Sequence, residues 1–361
     1  MRYDKVIRFY VLVFALGAVL GLGGGLVFGG AGDVGGFPGG GRPPGTPKTQ
    51  ATGATGAAAP MTPERAAAIG ANELGLIPVL EYHLIGTPES QWTRTPENFR
   101  KDIALLKSEG YYPINLRDLV TGAIDIPAGK TPVVLTFDDS SPGQYRLLED
   151  GSLDPDSAVG ILQAAVAAGN WAPRGTFFIL LDVRPKDKVV FGQPESRSRK
   201  LKQLVAWGYE VGSHTVTHLN LKKAPREESV KQLALSKATL EQYIGGGYQV
   251  ETISIPFGEY PADDALLSRG EWEGKGYAYI GAVEVAGGPS PSPYSTEFRP
   301  LHIPRIQVTG DALANTLQMF KDNPELRYVS DGDPAAVSAP SRTAAKLGRL
   351  LPDLGRPVIR Y

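Results

Sequence analysis

The chain has 361 residues, a formal net charge of −1 and no cysteine. That length accommodates one large domain with accessory segments. A near-neutral balance offers no basic face for phosphate, which excludes nucleic acid as a partner, and the lack of Cys excludes disulfides and thiolate zinc ligands.

Arg2, Lys5 and Arg8 precede an apolar run from Phe9 to Phe28. Twenty residues at about 1.5 Å each reach across roughly 30 Å of hydrocarbon, and positive charges ahead of such a run hold an N-terminus in the cytoplasm. Residues 1–30 are therefore expected to be a transmembrane anchor or a signal peptide. The run is long for a signal peptide's apolar core and no small-x-small cleavage site closes it, whereas its many Gly weaken a spanning helix. Either way the rest of the chain is expected outside the cytoplasm, held by this single N-terminal segment or secreted. Residues 31–62, rich in Gly, Pro, Ala and Thr, lack the apolar periodicity that would bury a core and read as a flexible linker.

An Ala-rich helical stretch over 61–73 opens the folded part, and 77–83 reads as the first strand. Thr95 and Pro96 supply an N-cap and an N1 proline, and Phe99, Ile103 and Leu106 lie on one face of a helix ending near Gly110. A short strand follows at 111–116. Val133, Val134, Leu135 and Thr136 form a buried strand that ends on two carboxylates, Asp138 and Asp139. Successive residues of an extended chain point in opposite directions, so one carboxylate can hold a metal while the other faces a substrate. Then come a helix at 158–168, a strand at 175–180, a helix at 201–207 and a strand at 209–212. That strand leads into Ser213-His214-Thr215-Val216-Thr217-His218, which holds two of the four histidines in the chain. Two imidazoles that converge from i and i+4, one carboxylate and an open position describe a catalytic zinc site. A long helix at 225–244 and strands at 252–255, 277–283 and 303–308 complete the pattern. Beyond Asn323 it weakens, and 337–361 is expected to hold one short apolar helix among several Arg and Lys. Alternating strands and helices with reactive residues at strand ends predict a parallel β/α barrel.

Thr136-Phe137-Asp138-Asp139 and His214-Thr215-Val216-Thr217-His218 together resemble the motifs T-F-D-D and H-[ST]-x-x-H of the polysaccharide deacetylase family (NodB-homology, carbohydrate esterase family four). Pro78-Val79-Leu80-Glu81-Tyr82-His83 is similar to the P-V-L-x-Y-H opening of many extracellular members, and Gly175-Thr176-Phe177-Phe178 to their A-T-F-F segment. The resemblance implies an irregular barrel of the NodB-homology type with fewer than eight complete units, here over 63–325, followed by an extension of no assigned role at 326–361. It implies that Asp139, His214 and His218 bind a divalent metal, with Zn2+ first and Co2+ or Ni2+ also suited to the ligand set, and that Asp138 is the catalytic base. Pro256-Phe257-Gly258 resembles the motif R-x-P-[YF]-G, which implies that the Phe257 backbone N–H joins the oxyanion hole.

The chain departs from the family pattern at several places. Ser140 stands where most members carry Gly. The motif Arg, expected near Ser254, is absent, and Arg305 or Arg174 are the candidates to replace it. An Asp-Trp motif that tunes the acid has no match between Ala282 and Arg305, and Trp272 sits in a different context. No His follows His302, which itself precedes the last strand. His83 is then the candidate acid, as in members resembling poly-N-acetylglucosamine deacetylases. The implied activity is metal-dependent removal of N-acetyl groups from an extracellular polysaccharide containing N-acetylglucosamine, of the peptidoglycan or poly-N-acetylglucosamine type. The expected partners are that acetylated glycan and, through the N-terminal segment, a membrane; no protein partner is expected. Two alternatives stay open. One is an O-acetyl esterase on acetylated polysaccharide. The other is a catalytically silent, membrane-tethered glycan-binding barrel, which the missing Arg favours and the retained Asp pair opposes.

Overall fold

The computed structural model describes residues 60–361. The apolar run 9–28 and all but the end of the linker expected at 31–62 lie outside them. No helix among the described residues is long and apolar enough to cross a membrane. The Ala-rich opening forms α1, Pro63–Ile69, capped by the Thr62 hydroxyl and stopped by Gly70 at φ 70°. A left-handed C-terminal Gly ends helices in this way, so α1 is shorter than the 61–73 composition predicts.

Eight parallel strands carry the fold: β1 (Val79–Tyr82), β2 (Tyr111–Ile114), β3 (Thr131–Phe137), β4 (Thr176–Ile179), β5 (Glu210–Ser213), β6 (Thr252–Ser254), β7 (Gly281–Gly287) and β8 (Ile303–Gln307). Seven of them close a ring in the order β1–β8–β7–β6–β5–β4–β3 and back to β1. β2 pairs with the first half of β3, and β1 pairs with its second half, from Val79↔Val134 to Tyr82↔Phe137. This is the expected irregular barrel. Its main helices are α2 (Pro96–Ser108), α3 (Leu116–Thr121), α4 (Ala158–Ala167), α5 (Arg197–Trp207), α6 (Arg226–Ile244) and α7 (Ala312–Asp322).

The two-residue period of the strands divides their side chains between interior and exterior. Leu80, Leu135, Phe137, Phe177 and Val211 join one cluster with Phe99 and Ile103 of α2, Leu204 of α5 and Leu233 of α6. Phe137 is stacked between Tyr82 and Phe177 at centroid distances of 5.6 and 4.5 Å. Burying each such side chain stabilises by about 1.5–3 kcal/mol. Val79, Val134, Phe178, Val283 and Ile303 make a second apolar layer. Two residues further along three of these strands stand Glu81, Thr136 and Arg305, all buried, so the interior changes from apolar to polar toward the strand C-termini. Gly212 lets β5 approach closely there, because a Cβ would meet the Phe178 ring at 2.6 Å and Thr252 Oγ1 at 2.9 Å.

Two expectations need correction. The strand expected at 277–283 is split: Lys275–Tyr277 pairs antiparallel with Gly270–Trp272 in an outer hairpin, and β7 begins at Gly281. The apolar helix expected within 337–361 is a single 3-10 turn, Ala345–Leu347, and the segment instead forms a parallel pair, Val337–Ala339 with Val358–Arg360. Gly348 at φ 73° and the following Pro352 leave no room for more helix. The segment after α1 meets residues 328–338 around buried Glu73, whose carboxylate accepts from Tyr328 Oη at 3.1 Å and the N–H groups of Asp331 at 3.4 Å and Ser338 at 2.9 Å.

Candidate active site

β3 ends by turning sharply. Asp139 and Ser140 both take left-handed backbone, at φ 71° and 42°, a conformation costly for residues with a Cβ. Ser140 offsets that cost with its hydroxyl, which accepts from Leu180 N–H at 3.1 Å and donates to the Lys188 carbonyl at 2.7 Å. A serine can therefore stand where glycine is usual. The turn keeps Asp138 on the interior face and swings Asp139 toward the end of β5.

His214 follows β5 directly, and its Nδ1 donates to the Ser254 carbonyl at 2.8 Å. That bond fixes the tautomer with Nε2 as the free ligand atom, 3.5 Å from Asp139 Oδ1. His218 Nε2 lies 3.7 Å from the same oxygen. The pair is wound on a loop rather than a helix. Thr215 and His218 are left-handed at φ 66° and 58°, and Gln232 Oε1 on α6 accepts from the N–H groups of Val216 and Thr217, both at 3.0 Å. One ligand atom from each of Asp139, His214 and His218 lies within 4.8 Å of the others. Burial pushes His218 down to about 4, so it is neutral near pH 7, the form that ligates a metal. Two imidazoles and a carboxylate fit a Zn2+-type ion with room for a further ligand. Lys188 Nζ reaches the other Asp139 oxygen at 2.6 Å.

Asp138 is held differently. Arg305 on β8 donates from Nη1 to Oδ1 and from Nη2 to Oδ2, both at 2.8 Å, and Ser254 Oγ donates to Oδ2 at 2.8 Å. Burial works against its charge, yet the Arg305 cation holds the carboxyl well below the usual range. Arg305 thus replaces the missing motif Arg, and Ser254, at that motif position, contacts the same carboxylate. Arg174 is not involved; its Nε lies 4.0 Å from Asp118.

His83, just beyond β1, has Nε2 at 4.0 Å from Asp138 Oδ2 and 3.5 Å from Glu81 Oε1. The Trp92 ring packs edge-on against it at 4.7 Å. Burial lowers His83 to about 4, opposed by the charges of Asp138 and Asp139, and burial raises Glu81 to about 8 against the pull of Arg305. Gln144 Nε2 donates to the carbonyls of both His83, at 2.6 Å, and Asp138, fastening the two strand ends together. Phe257 sits at φ 62° in the 3-10 turn Pro256–Gly258. The turn closes through Gly258 and Glu259 N–H, bonds in which the Phe257 N–H takes no part. The residue is 52% exposed, and its ring lies 4.3 Å from the His218 ring. Trp272 lies in the outer hairpin against Lys231. His302 is tied to Asp264 at 2.7 Å and Glu284 at 3.1 Å and stacks on Tyr260.

The structure therefore gathers Asp138, Asp139, His214 and His218, sets His83 beside Asp138 and sets Phe257 beside His218. Glu81 and Gln144 were not foreseen. Glu81 had a signal, since it shares a strand face with His83 two positions on; Gln144 had none.

A family model described as polysaccharide deacetylase matches residues 125–269. That stretch includes Asp138, Asp139, His214, His218 and Phe257 but not Glu81, His83 or Arg305. No curated protein matches the sequence. Among solved structures, IcaB from Ammonifex degensii is 19% identical, with 68% of this chain and 96% of that one covered at a TM-score of 0.50. A polysaccharide deacetylase from Bacillus cereus is 24% identical over 67% of this chain and 69% of its own, at a TM-score of 0.49. The Streptococcus pyogenes deacetylase PplD, in complex with acetate, is 22% identical over 67% and 97%, at 0.48. The family match falls on both aspartates and on His214 and His218, and the barrel is shared with IcaB, so over residues 125–269 this chain is similar to the polysaccharide deacetylase family.

Proposed function

We propose that the chain removes N-acetyl groups from an N-acetylglucosamine-containing polysaccharide outside the cytoplasm, with a divalent metal held by Asp139, His214 and His218. The observation that carries this reading is the convergence of those three ligand atoms within 4.8 Å next to an aspartate clamped on both oxygens by Arg305. Zn2+ suits the donor set best, and Co2+ or Ni2+ also fit. When bound, such an ion supplies Lewis acidity toward a water and an acetyl carbonyl.

The side chains supply the proton transfers. Asp138, kept ionised and immobile by Arg305, takes a proton from the attacking water. The Phe257 N–H is the candidate donor to the oxygen on which charge develops. As the C–N bond breaks, the nitrogen needs a proton, and His83 is the acid placed to give it. The N-terminal apolar run supports export or tethering.

An O-acetyl ester would use the same base and ligands and depend less on an acid. The presence of His83 at 4.0 Å from Asp138 favours the amide. The silent-barrel alternative rested on a missing Arg, and Arg305 supplies that contact. The test is acetate release by the full-length protein from N-acetylglucosamine oligomers and from acetylated xylan. Release from the former, abolished by a chelator and restored by Zn2+, supports the proposal; release from xylan alone sinks it.

A further inference from the structure

Glu81 is buried inside the barrel, with 1% of its surface exposed. Its Oε1 lies 3.2 Å from Arg305 Nη2 and 3.5 Å from His83 Nε2. Its Oε2 is buried and has no hydrogen-bond partner among the described residues. A carboxylate so placed is costly, and a strand built for stability alone would carry an apolar side chain there, as it does at Val79 and Leu80. A second metal ion on Glu81, His83 and Asp138 is one use for the group, since one ligand atom of each lies within 4.8 Å of the others. The Arg305 fork argues against it, because both Asp138 oxygens are taken and a cation already stands at the site.

We infer that Glu81 is the positioning residue of the acid: it holds the His83 imidazole over the site, while Arg305 holds Glu81. The inference rests on the reading of His83 as the proton donor. Its physical content is that one guanidinium registers two groups at once. Arg305 Nη2 touches Asp138 at 2.8 Å and Glu81 at 3.2 Å, so base and acid cannot drift apart independently. Trp92 limits the ring on another side. Protons balance without another reactant. Water gives one to Asp138, which passes it to the His83 ring across 4.0 Å. The C–N bond breaks with its electron pair going to nitrogen, the ring gives that proton to nitrogen, and acetic acid leaves.

The test compares the full-length protein with Glu81→Gln, Glu81→Asp, His83→Ala and the double variant Glu81→Gln/His83→Ala. Two substrates are used: N-acetylglucosamine oligomers, and 4-nitrophenyl acetate, whose leaving group needs no acid. Thermal unfolding checks that each variant is folded. Glu81→Gln is expected to lower kcat on the oligomers by about 10- to 100-fold, part of the worth of one positioned acid, with KM and ester turnover nearly unchanged. Glu81→Asp, which draws the carboxylate back, is expected to lie between Gln and wild type. The double variant should be no slower than His83→Ala, since Glu81 acts through the ring. Full oligomer activity in a folded Glu81→Gln, alongside a slow His83→Ala, overturns the inference and leaves the reading of His83 standing. Equal losses on both substrates, adding to those of His83→Ala, also overturn it by showing that Glu81 serves Asp138. Unchanged activity in His83→Ala overturns the reading beneath it. If Glu81→Gln fails to fold, Glu81→Asp carries the same comparison.

Discussion

Arg305 forks Asp138, with Nη1 on Oδ1 and Nη2 on Oδ2, each at 2.8 Å. A bidentate guanidinium fixes a carboxylate in direction as well as in charge, which a lysine cannot do. Arg305→Lys is therefore expected to keep bound metal but lose about 10²-fold in kcat, with lowered stability, because breaking a buried pair costs about 3–5 kcal/mol. Moving the cation to the motif position, in Ser254→Arg/Arg305→Ser, should recover part of the activity lost in Arg305→Ser alone. Kinetics on N-acetylglucosamine oligomers with metal analysis decides this; a near-normal rate in Arg305→Lys would show that the fork is not needed.

The two neighbouring aspartates should fail differently. Asp139→Ala, His214→Ala and His218→Ala are each expected to lose bound metal. Asp138→Asn should retain it and lose turnover by about 10²–10⁴-fold, the usual worth of a positioned base. Metal stoichiometry on the purified variants reads this directly. Stoichiometry near one in all three ligand variants would mean that the ion lies elsewhere.

His83→Ala is expected to keep metal and polymer binding and to lose about 10²–10⁴-fold on the amide, with a smaller loss on an ester of a good leaving alcohol. The ratio of the two losses is the measurement. Equal losses, or none, remove His83 as the acid.

The Glu73 cluster makes a prediction about stability rather than catalysis. Burial, and then the Asp331 carboxylate, push Glu73 up to about 8 from the ordinary 4.5. Between those values the folded chain holds a proton that the unfolded chain has released. The contribution is thus complete below about 4.5 and is lost as pH rises toward 8. Asp331→Asn removes the repulsion while keeping groups that can bond Asp333 N–H and Ser338 Oγ. The fall in stability from about pH 5 to about pH 8 should shrink, by about 1.4 kcal/mol for each unit that Glu73 drops. Denaturant unfolding at both pH values measures it, and an identical fall in the variant contradicts it.

The candidate site was legible in the sequence where its parts are adjacent. Asp138 and Asp139 share one strand end, and His214 and His218 lie four apart after another, so pattern alone brings them forward. Arg305 could be named only together with Arg174, because its partner Asp138 is 167 positions away and nothing local distinguishes the two arginines. Glu81 was readable in principle from its alternation with His83. Gln144 and Lys188 were not, since each acts through loops whose path depends on the left-handed turn at Asp139 and Ser140. The parallel β/α barrel was legible in the alternating pattern, whereas the outer hairpin and the C-terminal parallel pair depend on contacts distant in sequence.

The most direct test of the account is acetate release from N-acetylglucosamine oligomers by the full-length protein, before chelation, after chelation and after readdition of Zn2+. The account predicts turnover that vanishes with the metal and returns with it in the wild type, and that stays low in metal-loaded Asp138→Asn. Undiminished turnover in folded, metal-free protein, or no acetate from the metal-loaded wild type, would contradict it.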